Sequence, residues 1–206
     1  MKPSKPAMLS AAAIILLILT GACSSKPFLI VYYQLPQPTD TLAGKEVSLV
    51  IADIRETQTF LSESAKKSFR EFNETYSLVV LKEDGSGNLL GVYAVDALIA
   101  EIFKQRLNNL GLQVQVSPSA NKSEYELEIK LKEFKLDLAG SKWIINMSYQ
   151  ANLLKNSRLL AMESVNGSAE RLKVMGKSDA EKVLGELMTD MVNKLDLVKL
   201  FQQAQR

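Results

Sequence analysis

The sequence contains no histidine and a single cysteine, Cys23. Without imidazole there is no Ser–His or Cys–His nucleophilic pair. One thiol by itself does not assemble the nitrogen and sulfur shell that zinc takes. Nor does Cys23 have a partner in the chain for a disulfide. What chemistry remains is carboxylate-only catalysis, a Ser–Lys arrangement or an oxygen-ligand cation site. Charge of one sign is lacking too: 25 Lys and Arg stand against 23 Asp and Glu, a formal +2. Lys2 and Lys5 supply that excess, so residues 23–206 are neutral and the pI of about 8.5 reflects the first residues. A neutral domain has no global electrostatic reason to seek nucleic acid. Finally, the longest apolar run, Ala7 to Leu19, falls short of the roughly 20 residues a membrane-spanning helix needs.

That run is nevertheless the most informative stretch. Lys2 and Lys5 precede it, and Gly21-Ala22-Cys23 follows, with Ser24-Ser25 beyond. A positive start, a short apolar core and small residues before a cleavage point make an export signal. The cysteine directly after the small pair resembles the bacterial lipoprotein lipobox, with Thr20 where that pattern more often has leucine. The resemblance implies cleavage between Ala22 and Cys23, a diacylglycerol on the Cys23 thiol and an N-acyl chain on its amino group, with no other cofactor. Ser24 in place of aspartate implies sorting to the outer membrane, on its periplasmic face. The expected organisation is a cleaved signal at 1–22, a lipidated tether at 23–45 and one α+β periplasmic domain at 46–206. With 47% hydrophobic and 23% charged residues, the composition is that of a globular protein able to bury a core.

Within the tether, Phe28-Leu29-Ile30-Val31-Tyr32-Tyr33 reads either as an edge strand or as a segment lying on a membrane or partner. Glu46 to Ile54 reads as an interior strand. Residues 55–75 carry Phe60, Leu61, Phe69 and Phe72, with Tyr76 just beyond, in a polar stretch. A short helix at Ser64–Asn73 is expected there, its aromatics capping the core or forming a partner-facing patch. Runs 76–81 and 89–93 flank Glu83-Asp84-Gly85-Ser86-Gly87-Asn88, a hairpin signal that lacks the spaced acids of a calcium loop.

Asp96 is the expected N-cap of a helix with Leu98, Ile99, Ile102, Phe103, Leu107 and Leu110 on one face, ended by Gly111. Strand 112–116 follows, so that 46–54 and 112–116 form a crossover covered by that helix. A meander comes next. Tyr125, Leu127, Ile129 and Leu131 alternate until the phase slips at Glu133, as a β-bulge requires. Trp143 to Leu153 and Leu159 to Ala169 supply two more strands. Glu124, Glu126 and Glu128 share a strand face with Lys130 and Lys132, a solvated face rather than an acid pair. Ser178-Asp179-Ala180-Glu181 fits a capping box for a C-terminal helix. Asp196 is placed to cap a last short helix, in which Leu200–Phe201 is either core or a contact edge. The expected fold is α+β: a mixed, largely antiparallel sheet with two main helices packed on one face.

This order, with Val47 to Arg55 ending in Asp53-x-Arg55, Leu107 through Val114 and the closing Leu-rich helix, resembles envelope lipoproteins of the YajG type. Tyr32-Tyr33-Gln34-Leu35 resembles the Tyr-Tyr-x-Leu element of ABC-transport auxiliary (PqiC-like) lipoproteins; the stretch 55–75 departs from both. The resemblance implies a non-catalytic accessory or interaction module in envelope maintenance or lipid transport, membrane-bound through its lipid and touching an envelope protein. A carrier of lipid or a small hydrophobic ligand is the alternative, and an enzyme using carboxylates or Ser–Lys a third. Tyr32, Tyr33, Leu35, Phe69, Phe72, Leu200 and Phe201 are the candidate partner surface. No metal site, nucleic-acid partner or oligomeric state is read from the sequence.

Overall fold

A computed structural model describes residues 27–117 and 123–204; Ala22 and Cys23 lie outside them. The expected α+β class holds, with the strands divided between two sheets. The small sheet contains β1 (Phe28–Gln34), β3 (Thr75–Leu81) and β4 (Gly87–Tyr93), in the order β1-β3-β4. The large sheet contains β2 (Glu46–Asp53), β5 (Gln113–Val116), β6 (Tyr125–Ala139), β7 (Lys142–Lys155) and β8 (Arg158–Leu172), in the order β5-β2-β6-β7-β8. The helices are α1 (Glu63–Lys66), α2 (Val95–Asn108), α3 (Lys177–Lys194) and α4 (Leu197–Gln203).

Much of the local pattern is as expected. β2 and β5 pair in parallel with α2 between them in sequence, and β6, β7 and β8 form an antiparallel meander. The β6 register shifts between Leu131 and Glu133, which lets Leu127, Ile129 and Leu131 share the buried face with Phe134 and Leu136. β3 and β4 make the hairpin, and Gly111 ends α2 with φ of 85°. A side chain there would also meet Ala43, its Cα 3.1 Å from an added Cβ. Asp196 caps α4 by accepting from the Lys199 backbone N–H.

Three local expectations are corrected. α2 begins two residues early, with Ala94 at the N-cap and no side-chain cap; Asp96 sits in the first turn instead, where its charge favours the helix dipole. The capping box on α3 is replaced by Gly176 at the N-cap. Asp179 accepts from the N–H groups of Val174 and Met175, and Glu181 is drawn off to β1. The helix expected at 64–73 is a single turn, α1, capped by Ser62. Of the two readings of 28–33, the edge strand is the one observed: β1 lies at the edge of the small sheet, parallel to β3.

The aromatics of 55–75 go to the core. Phe60, Phe72, Tyr76 and Phe134 form one cluster, with Phe60 and Phe134 centroids 4.6 Å apart, and Phe69 packs 5.2 Å from Trp143. This cluster joins the inner face of the small sheet (Leu29, Val31, Tyr33, Tyr76, Leu78, Val80) to β6 of the large one.

α3 lies against β1, with Gly185 at the contact: an added Cβ would stand 2.7 Å from the Tyr32 carbonyl oxygen. In an open helix, Gly→Ala stabilises by about 1 kcal/mol. Here the sign reverses. Gly185→Ala is expected to destabilise by about 1–3 kcal/mol through overpacking, read as a lower urea midpoint.

Candidate functional site

A sheet edge leaves backbone groups without strand partners, and buried ones must be satisfied some other way. At β1 the task falls to α3. Residues 28, 30, 32 and 34 turn their peptide groups away from β3, towards the helix. Lys177 Nζ donates to Phe28 O at 2.7 Å, Ile30 N to Glu181 Oε1 at 3.0 Å and Gln34 N to Thr189 Oγ1 at 2.9 Å. Asn193 Nδ2 donates to Gln34 O at 3.0 Å, and its Oδ1 accepts from the Tyr33 hydroxyl at 2.9 Å. Gly185, in the middle, lets the helix approach Tyr32. The residues 177, 181, 185, 189 and 193 are successive i, i+4 positions, rising about 6 Å each. Two strand residues rise about 6.6 Å, so the helix stripe and the strand edge stay in step for the whole length of β1.

The neighbouring stripe of α3, Ser178, Lys182, Glu186 and Asp190, is thereby set up as a wall. With Tyr32 and Gln34 of β1 and Leu81 of β3 as floor, it encloses an open groove of about 670 Å³. The wall is acidic on balance, although Glu186 pairs with Arg171 and Glu181 is committed to Ile30. The floor continues onto the outer face of the small sheet. Cross-strand registers put Tyr32, Val79 and Leu89 in one row, and Ile30, Ser77 and Val92 in the next. Leu89 is 67% exposed, Val92 55% and Tyr32 39%, whereas Val79 and Leu81 are half-buried between them. The result is an apolar sheet face bordered by a charged helix.

Of the seven candidate surface residues, Tyr32 alone is exposed and in this groove. Tyr33 points into the core, where burial pushes its hydroxyl pKa up. Leu35 is half-buried beside a smaller depression formed with Pro36, Pro38 and Asn109. Phe69, Leu200 and Phe201 are buried, and Phe72 is half-buried against the aromatic cluster. These four are core residues because the elements carrying them close over β6, β7 and Tyr125, whose ring lies 5.8 Å from Phe201. Val79, Leu81, Leu89 and Val92 were missed. The signal was present: Leu78-Val79-Val80-Leu81 is apolar at every position, so both faces of β3 are apolar.

Glu124 pairs with Lys155 and Glu128 with Lys130 on the outer face of β6. Asp53, Glu74 and Asp96 border a cavity of about 310 Å³ with Arg55, and among the described residues no three acidic groups are placed to hold a metal. Asp53 is held in a two-point pair, Arg55 Nε to Oδ1 at 2.8 Å and Nη2 to Oδ2 at 2.7 Å, while Arg55 Nη1 reaches Phe134 O. Hydrogen bonding from Arg55 lowers the Asp53 pKa, and burial raises that of Glu74, whose φ is 59°. Arg55 thus ties the end of β2 to the β6 bulge.

No protein-family model matches the chain, and no curated protein matches it. It is similar to a Xanthomonas campestris protein of the DUF330 family, at 14% identity over 86% of this chain and 99% of that one, with a TM-score of 0.48. A PelC variant from Paraburkholderia phytofirmans, solved as a dodecamer, is 12% identical over 82% and 92%, with a TM-score of 0.40. Rare lipoprotein B from Shewanella oneidensis is 8% identical over 77% and 95%, with a TM-score of 0.37. The reading of the groove rests on its own residues.

Because the folded-state pKa of Asp53 is depressed, its pairing stabilises the fold above the unfolded value of about 3.9 and is lost as pH falls through the folded value. Arg55→Ala is expected to cost about 2 kcal/mol near neutral pH by leaving Asp53 unpaired. The gap to the native chain should close below about pH 4, measured by urea unfolding across pH.

Proposed function

We propose that this protein is a lipid-anchored, non-catalytic interaction module of the bacterial envelope, held by acylated Cys23 on the periplasmic face of the outer membrane. The observation that carries the reading is the apolar outer face of the small sheet, continuous with the α3 groove. Contiguous exposed apolar surface rimmed by polar groups is what docking sites offer. The occupant that fits is a protein segment with a row of apolar side chains for Tyr32, Val79, Leu89 and Val92 and a cation for the acidic wall. A role in envelope maintenance or lipid transport is consistent with the family resemblances, with the partner a component of that machinery. The groove is open along its length and has a charged wall, which suits a peptide better than a sequestered lipid.

Two experiments test this. Cys23→Ser is expected to fold and to leave the membrane fraction; membrane association unchanged by that substitution would refute lipid anchoring. Leu89→Asp with Val92→Asp, at exposed positions, should change stability by less than about 0.5 kcal/mol per site. In affinity purification from crosslinked envelopes, the native chain should retain an envelope protein that the double variant loses. Recovery of lipid alone, unaffected by the double variant, would turn the reading to a carrier.

A further inference from the structure

The end of β8 and the loop that joins it to α3 place their apolar residues outward. Leu172 is 56% exposed, Val174 80% and Met175 70%, three apolar residues within four positions. The loop is not slack. Val174 N and Met175 N both donate to Asp179 Oδ2, Lys173 N donates to Ser141 O at 2.8 Å, and Gly176 O accepts from Trp143 Nε1 at 3.1 Å. Lys173 Nζ reaches Ser68 Oγ at 2.9 Å and lies 5.2 Å over the Trp143 ring. The backbone is thus pinned from beneath, and the apolar side chains are presented rather than left to fold back.

The first described residues lie at this same end. Lys177, two positions after Met175, bonds Phe28 O, and Asn73 N bonds Pro27 O at 3.2 Å. Cys23 is four residues before Pro27, and four residues reach at most about 14 Å. Any lipid on Cys23 therefore enters its membrane close to this loop. Although the domain is neutral overall, cations gather here: Lys67, Arg70 and Lys177 line a depression of about 280 Å³ with Glu71, and Lys173 stands beside it. Apolar side chains at a tip, with lysine and arginine behind them, match the boundary between acyl chains and phosphate headgroups.

We infer that the segment Leu172–Met175 is a second membrane contact: Val174 and Met175 sink into the headgroup boundary of the bilayer that holds Cys23, and Lys67 and Arg70 face its phosphates. The inference rests on the proposed acylation. Its consequence is orientation. A lipid alone leaves the domain free to swivel, whereas two contacts fix the α3 groove relative to the membrane, running outward from it.

The test uses the full acylated chain on vesicles of phosphatidylethanolamine and phosphatidylglycerol. Acylation consumes the only thiol, so Met175→Cys provides one labelling site for an environment-sensitive dye. Leu159→Cys, 52% exposed at the opposite end of β8 and about 40 Å away by strand length, provides the reference. The dye at 175 should shift to the blue on vesicles and resist aqueous iodide, and the dye at 159 should do neither. If the protein is vesicle-bound and both dyes are quenched alike, the second contact is overturned and the anchor stands. If each variant takes up two dyes and neither binds vesicles, Cys23 is not acylated, and the anchor and the inference fall together.

Discussion

One edge of the small sheet is closed by a helix instead of a strand, and much else depends on that. β1 has β3 on one side only, and the peptide groups of Phe28, Ile30 and Gln34 on the other side are answered by Lys177, Glu181, Thr189 and Asn193. The match works because every fourth helix residue and every second strand residue advance by nearly the same distance. It also needs a residue without a side chain at Gly185, where the two backbones come closest. Pairing by side chains leaves α3 in the layer over β7 and β8 while it seals β1. The small sheet is thus joined to the large one without a shared strand.

The closure also sets two surfaces of the molecule. Because Glu181 and Thr189 face the strand, the adjacent stripe Ser178, Lys182, Glu186 and Asp190 must stand over the sheet's outer face as a charged wall. Because Lys177 holds Phe28, the start of the fold lies beside the Leu172–Met175 loop. The groove runs along α3 from Ser178 to Asp190, and the Leu172–Met175 segment stands at the N-terminal end of the same helix, so each has a fixed direction relative to the other.

The aromatic cluster does the complementary work. Phe60, Phe72, Tyr76 and Phe134 bridge the inner faces of the two sheets, and the Asp53–Arg55 pair fastens β2 to the β6 bulge beside them. The stretch 55–75 therefore contributes burial rather than regular structure. The stretch carries no period: its aromatics fill space from loop positions, where no 3.6 or 2.0 repeat constrains them.

The sequence by itself determined what depends on neighbours in the chain. The alternation of β6 and its slip at Glu133, the Asp84-Gly85 hairpin, the stripe of α2 and the stop at Gly111 are all local, set by side-chain period and turn chemistry. Tertiary structure alone decided that β1 runs parallel to β3, some 47 positions away, and that Glu181 leaves its expected cap to bond Ile30, 151 positions away. It decided that Leu200 and Phe201 are covered while Leu89 and Val92 are not. An apolar strand has the same pattern whether another layer packs on both its faces or only on one. Which face stays open is settled by where the helices go, and here α3 went to the edge of β1 because that edge had unpaired backbone groups and Gly185 allowed the approach.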